Sequence, residues 1–203
     1  MIVYVESNFP IELSLGQEEA PYAAEILTLA EQRMIELAFP SFSLSEPFST
    51  VLHRARERDH LAARLSEQVA QLRRSAPHQS LVAAVQHVPA ALAEIGKKEF
   101  DLLEQTVERL LAAGRAIETD VDSFRQAVGY QRTYDLQPAD AVIYAAVVQD
   151  LARQPAEPAK CFISRNWKDF DDPGIRAELR AHNCRYEESF EAGLAFIRDA
   201  LGV

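Results

Sequence analysis

Short apolar runs alternate with longer helical patterns along this chain, and that alternation constrains the fold more than any other feature. Ile2–Val5 is a run of β-branched and aromatic residues that is typical of a fully buried strand, and Lys160–Ser164 is another. Further strands are predicted near Ala38–Phe42, Ala116–Glu118 and Cys184–Tyr186. Strands separated by helices indicate a parallel sheet with helices on both faces.

Two long helical patterns lie between the second and third predicted strands. One covers about Ser45–Ala76 and the other about Pro89–Ala113, and Gly114 follows the latter as a C-terminal cap. The sequence therefore predicts a single domain over residues 1–203, in which residues 50–115 form an antiparallel helical extension or insertion. Shorter helices are predicted at Tyr22–Leu37, Thr119–Tyr134, Pro138–Val148, Arg176–Ala181 and Ser189–Leu201.

Composition narrows the classes of function. Acidic residues outnumber basic ones 31 to 21, and the net charge of −10 disfavours a protein that coats nucleic acid. A metal-dependent nuclease need not be basic, because bound metal supplies positive charge at the phosphate. With no basic leader and no apolar run near the ~20 residues that span a bilayer, we predict a cytoplasmic protein without a membrane partner.

The sequence lacks the motifs that zinc sites, nucleotide-binding loops and serine hydrolases require. The two cysteines, Cys161 and Cys184, have no metal-type spacing and are predicted to be buried free thiols. The five histidines form no HExxH pattern, which argues against histidine-based zinc chemistry. GxGxxG, GxxxxGK[ST] and GxSxG motifs are also absent from the sequence, so nucleotide cradles and a hydrolase serine are not expected.

Four acidic residues stand out by their positions. Glu6 directly follows the first strand, Glu46 starts the helix after the second, and Asp169 follows the strand that ends at Ser164. Asp140 lies in the first turn of a helix that is apolar on every side and should be buried all round. Because ligands bind outside the carboxyl ends of parallel strands, these carboxylates are expected to meet at one sheet edge. Mg²⁺ or Mn²⁺ would suit such a group of oxygen ligands.

Each of these residues also has a purely structural interpretation. Glu6 would then be a polar strand end, Glu46 and Asp140 first-turn acids favoured by the helix dipole, and Asp169 a turn former. Trp167 is expected to pack rather than to stack on a base. The arginines of the helical pair predict a solvated helix face, with a phosphate-guiding surface as the alternative; they are Arg54, Arg56, Arg58, Arg64, Arg73 and Arg74.

The acidic motifs, taken in order, resemble those of the PIN-domain family. The matching segments are Val3–Asn8, Pro40–Glu46, Leu136–Ala141 and Ile163–Phe170. The last has the variant with Arg-Asn and a later Asp-Phe that is familiar from VapC-like toxins of toxin–antitoxin pairs. The resemblance covers most of the chain outside residues 55–115.

This resemblance implies a fold and a function. The fold would be a three-layer α/β/α sandwich around a central parallel sheet, with the helical pair added. The protein would be a divalent-metal-dependent endoribonuclease that hydrolyses phosphodiester bonds by metal-activated water. Its catalytic, metal-binding residues would be Glu6, Glu46, Asp140 and Asp169, supported by Ser7, Asn8 and Asn166. RNA is the implied substrate, the surplus apolar helices permit a homodimer, and a cognate antitoxin is left open.

One departure from the family pattern keeps alternatives open. The first acid of the family is nearly always Asp, and Glu6 reaches about 1 Å further, which is more than the roughly 0.5 Å that catalytic geometry tolerates. A catalytically weakened PIN-like module that binds RNA or protein is therefore the alternative function. A third alternative is an unrelated doubly wound domain in which the four acids do not converge.

Overall fold

The computed structural model describes residues 1–202 and contains a five-stranded sheet in which neighbouring strands all run parallel. The predicted mixed α/β fold with a parallel sheet is therefore confirmed. In chain order the elements are β1 (Ile2–Val5), α1 (Asn8–Leu15), α2 (Ala20–Glu31), β2 (Glu36–Pro40), α3 (Ser45–Leu72), α4 (Gln79–Val85), α5 (Val88–Ala113), β3 (Arg115–Ile117), α6 (Val121–Tyr134), α7 (Pro138–Arg153), β4 (Lys160–Ile163), α8 (Trp167–Phe170), α9 (Pro173–Ala181), β5 (Cys184–Glu187) and α10 (Phe190–Leu201).

The order of the strands creates a crevice beside the first strand. Across the sheet the order is β3-β2-β1-β4-β5, so the chain adds two strands on one side of β1 and then two on the other. Val3 of β1 is level with Leu37 on one side and Cys161 on the other. In sheets of this kind the point where the order reverses, here between β1 and β4, is where ligands bind at the carboxyl ends.

Both faces of the central strand are covered. Tyr4 belongs to one core cluster with α7, whereas Val3 and Val5 belong to another with α2 and α10. This explains why the strand is apolar throughout rather than alternating. Every residue of Ala141–Val148 is buried, which confirms that α7 is packed all round.

The predicted helical pair consists of α3 and α5, with the short helix α4 between them. The two long helices run antiparallel: Val51 packs with Leu103, and a Cβ atom on Gly96 would lie 3.3 Å from the Cβ of Ala55. Arg58 forms an ion pair with Glu99 across the pair. The other five arginines of this segment are exposed, in agreement with a solvated helix face.

Several predicted boundaries are wrong. Helix α1 was not predicted because Pro10 suggested a break, but Pro10 lies in the first turn, where a missing N–H removes no helical bond. Helix α2 ends at Glu31 rather than Leu37, and Arg33 adopts a left-handed φ of 61° before β2. Helix α3 begins at Ser45 as predicted, but it ends at Leu72 rather than near Ala76.

Two predictions from composition can also be compared with the structure. Cys161 and Cys184 are both buried free thiols, as predicted. Among residues 1–202, none of the helices combines the length and the apolar character needed to cross a membrane.

Candidate functional site

A cavity of about 570 Å³ lies at the carboxyl ends of β1 and β4, and three of the four predicted acids line it. Glu6 comes from the end of β1, Glu46 from the first turn of α3 and Asp140 from the first turn of α7. These three acids therefore lie around one cavity. The supporting residues Asn8 and Asn166 line the same cavity.

The Glu6 carboxylate is buried, with 2% of the residue exposed, and both of its oxygens accept hydrogen bonds. The donors are the backbone N–H and the side-chain amide of Asn8, each at 2.9 Å. Burial raises the pKa of Glu6 to about 7, although hydrogen bonds from Asn8 and Ser164 lower it; the negative charge of Asp140 raises it further. Glu6 and Asp140 therefore act on each other electrostatically.

Asp140 is linked to Asp169 through a single amide. The Asn166 side-chain nitrogen lies 3.0 Å from Asp140 Oδ2 and 2.6 Å from Asp169 Oδ2, and it donates to both. Burial raises the pKa of Asp140 to about 6, the charges of Asp169 and Glu46 add to the rise, and the Asn166 hydrogen bond opposes it. Asp169 does not line the cavity itself, but it acts on Asp140 both directly, by its charge and a side-chain hydrogen bond that raise the pKa of Asp140, and through the shared Asn166 amide.

The remaining predicted residues differ in their surroundings. Glu46 is exposed at the rim of the cavity. Ser7 is buried directly after Glu6, and its hydroxyl has no hydrogen-bond partner among residues 1–202. A buried hydroxyl without a partner is costly, and such groups occur where a further ligand completes the hydrogen bonding.

Sequence reasoning missed two charged residues of this cavity. Glu12, buried on α1, forms an ion pair with Arg165, which directly follows Ser164 at the end of β4. Arg165 also lies 3.8 Å from Glu19. Recognising α1 would have revealed Glu12, because it is four residues beyond Asn8 and so on the same helix face.

Trp167 is also placed differently from the prediction that it packs. It is 56% exposed, whereas Phe170 in the same short helix is fully buried. A single helical turn presents only one side to the core, and Phe170 occupies that side.

The donor chemistry of the cavity fits a hard divalent cation. Glu6, Glu46 and Asp140 offer carboxylate oxygens, which Mg²⁺ and Mn²⁺ prefer. Ser7, whose buried hydroxyl has no partner among residues 1–202, does not line the cavity. A group of three or more His, Cys, Asp or Glu residues already arranged to hold an ion is not found within residues 1–202. The cavity therefore fits a divalent cation in the type of ligand atom it offers and in having three acids along its lining.

Comparison of this chain with protein families, with curated proteins and with solved structures found no match.

Proposed function

We propose that this protein is a PIN-like, divalent-metal-dependent endoribonuclease with a three-layer α/β/α architecture. One observation carries the proposal: Glu6, Glu46 and Asp140, from three distant parts of the sequence, line one cavity where β1 and β4 end. Asn166 links the fourth acid, Asp169, to Asp140. All four acids had been selected from the sequence alone, and their association supports the resemblance to PIN domains.

The electrostatics of the cavity support a cationic ligand. Burying carboxylates next to one another destabilises their charged forms, and this is the cause of the raised pKa values of Glu6 and Asp140. The guanidinium in the cavity, that of Arg165, is already paired with Glu12. A divalent cation would offset the carboxylate repulsion, since bound ions are the largest local charges in such sites.

The proposal assigns a role to each side chain. Glu6, Glu46 and Asp140 would hold Mg²⁺ or Mn²⁺, and Asp169 acts on Asp140 both directly and through Asn166. Asn8 fixes the Glu6 carboxylate by donating to both of its oxygens. With its cation bound, the site would have an activated water nucleophile and a neutralised phosphate charge.

The test is cleavage of a mixed panel of end-labelled RNAs by the purified protein with Mg²⁺ or Mn²⁺. Asp140→Asn should abolish cleavage, because it removes a ligand charge while keeping the side-chain shape. The matched control is Asp101→Asn, the same chemical change at an exposed position of α5. Cleavage that survives both EDTA and Asp140→Asn would refute the proposal.

A catalytically weakened PIN-like module is the second candidate function. Two observations favour it: position 6 carries Glu rather than Asp, and a preformed three-ligand group is not found in the described part of the chain. Such a module would bind RNA or a protein without cutting. It is distinguished by binding of RNA in the absence of any metal-dependent cleavage.

Partners and location remain predictions. RNA is the proposed substrate, and a homodimer, a cognate antitoxin and a cytoplasmic location stay as the sequence suggested them. Large apolar residues exposed on the helical pair, such as Leu61 on α3 and Leu102 on α5, are compatible with self-association.

A further inference from the structure

The single tryptophan of this chain lies on the surface beside the acidic cavity. Trp167 begins α8 and is 56% exposed, although an indole ring is one of the largest apolar groups a protein can bury. Its neighbour Asn166 lines the acidic cavity and bonds both Asp140 and Asp169. The exposed ring therefore belongs to the residue that directly follows Asn166, a residue of the proposed cleavage site.

A second cavity adjoins the ring. It has a volume of about 450 Å³ and is lined by Trp167, Arg165, Glu19, Glu188 and Ser189. Arg165 also lines the acidic cavity, so its side chain is common to both. Because Arg165 is held by Glu12 and Glu19, its position between the two cavities is fixed.

The chemistry of this second cavity suits a flat, uncharged group with N–H donors. The indole offers an aromatic face, and the Lys168 ammonium lies 5.9 Å from the ring centroid. The carboxylates of Glu19 and Glu188 would repel a phosphate but can accept hydrogen bonds from the N–H groups of a base. Arg165 is already paired with Glu12, so the Lys168 ammonium beside the ring is the positive charge available to a phosphate next to that base.

We propose that Trp167 and its cavity bind one unpaired base of single-stranded RNA, next to the phosphate held in the acidic cavity. The identity of the substrate rests on the proposed ribonuclease function. A base within a duplex is already stacked and paired, so the site selects single-stranded segments, loops or ends. Stacking on an aromatic side chain accepts any base, so this contact favours unpaired over paired RNA rather than one sequence.

The test uses the fact that Trp167 is the only tryptophan, so its fluorescence reports on this site alone. The full chain carrying Asp140→Asn, which suppresses cleavage, is titrated in Mg²⁺ with an eight-nucleotide single-stranded RNA and with the corresponding duplex. We expect saturable quenching by the single strand and much weaker quenching by the duplex. Equal quenching by both, or quenching by neither in this variant and in the wild-type protein, would overturn the inference.

Substitutions at position 167 give an independent readout. By anisotropy with labelled RNA, Trp167→Ala should weaken single-strand binding by about 5- to 100-fold, and Trp167→Phe should retain most of the affinity. Phe124→Ala, at another exposed aromatic residue (48% exposed, on α6), is the matched control and should change nothing. Unchanged affinity in Trp167→Ala would refute the base-stacking role.

The outcome separates this inference from the proposed function. Quenching by single-stranded RNA without any metal-dependent cleavage would support the base site and refute the nuclease. Cleavage that is unaffected by Trp167→Ala, in both KM and kcat, would support the nuclease and refute the base site. Concentration-dependent changes in Trp167 emission without RNA, together with no response to RNA, would show a protein interface here and overturn the inference.

Discussion

Asp140→Asn should stabilise the protein when divalent cations are removed, even though it should abolish cleavage. The Asp140 carboxylate is mostly buried, and it lies near the carboxylates of Asp169 and Glu46, which raises its pKa to about 6 from an ordinary value of 3.8. Because the folded-state pKa is above the unfolded one, ionised Asp140 costs stability. That cost is absent below about pH 3.8 and is complete once the pH exceeds about 6.

The size of this effect follows from the shift in pKa. One pKa unit corresponds to about 1.4 kcal/mol, so a rise to about 6 sets an upper limit near 3 kcal/mol. Partial solvent access and relaxation of the site reduce this, and we expect a gain of about 1–2 kcal/mol at pH 7.5. The hydrogen bond from Asn166 is retained, because the amide oxygen of an Asn at position 140 still accepts it.

Urea denaturation in EDTA at pH 7.5 and at pH 4 measures this gain. The difference between Asp140→Asn and the wild type should be about 1–2 kcal/mol at the higher pH and close to zero at the lower. Asp101→Asn, the exposed control, should stay within about 0.5 kcal/mol at both. A variant that is less stable than the wild type at pH 7.5 would refute the argument that burial and the neighbouring carboxylates destabilise ionised Asp140.

Adding Mn²⁺ should make the wild type more stable than Asp140→Asn, the reverse of the order in EDTA. At a concentration 100 times its Kd, a ligand that binds only the folded protein adds about 2.7 kcal/mol to the free energy of unfolding. We expect this gain in the wild type and a much smaller one in Asp140→Asn, measured by the same denaturation curves with added Mn²⁺. Equal gains in both would mean that Asp140 is not a ligand.

Two further predictions concern the scaffold. Asp150→Asn should remove one acid-sensitive contribution to stability. Burial raises the pKa of Asp150, but hydrogen bonds from Arg115 and Tyr4 and the charge of Arg115 lower it more. This contribution, about 2 kcal/mol, is therefore present above the unfolded pKa near 3.8 and is lost as the pH falls through the folded one, as denaturation curves from pH 2 to 7 would show. Gly193→Ala should lower the free energy of unfolding by about 1–3 kcal/mol, measured by thermal or urea unfolding, because the new Cβ would lie 2.3 Å from Cδ1 of the fully buried Ile163. The control Gly129→Ala should not destabilise the protein, because a Cβ there would have nothing within 4 Å.

Much of the fold was predictable because its signals are local. The run Ile2–Val5 and the wholly apolar Ala141–Val148 indicate buried elements whatever the rest of the chain does. The acids Glu6 and Asp140 could be selected because parallel strands bring their carboxyl ends to one edge. Asp120 caps α6 with Ser123 in a reciprocal capping box, and the predicted start of this helix, Thr119, is two residues before the observed one, Val121.

What could not be predicted depends on how separate segments pack. The pairing of Glu12 with Arg165 joins residues more than 150 positions apart, and no local pattern signals it. The exposure of Trp167 depends on which side of α8 meets the core, and Phe170 takes that side. Leu111 directly follows the buried Leu110 on α5 but is 53% exposed, and an apolar sequence pattern does not show how wide the buried face of a helix is.

Glu6→Asp is the variant that decides between the two candidate functions. If Asp were simply the better ligand, shortening Glu6 should increase cleavage. The structure argues against this, because both Glu6 oxygens are held at 2.9 Å by donors of the same residue, Asn8, and an Asp side chain is one methylene shorter. In the Glu6→Asp variant the carboxylate would lie further from at least one of these donors and from the cavity.

We therefore expect Glu6→Asp to lower metal-dependent cleavage by about 10- to 100-fold, since a displacement near 1 Å costs about that much in positioned catalysis. Asn8→Ala should lower it in the same direction, because Glu6 Oε1 would lose the side-chain amide donor, while the backbone N–H of residue 8 would still donate to Oε2. Single-turnover cleavage of the best RNA in the panel measures both variants. If Glu6→Asp instead cuts faster than the wild type, Glu6 is not fitted to Asn8 for catalysis, and the weakened module is the better account.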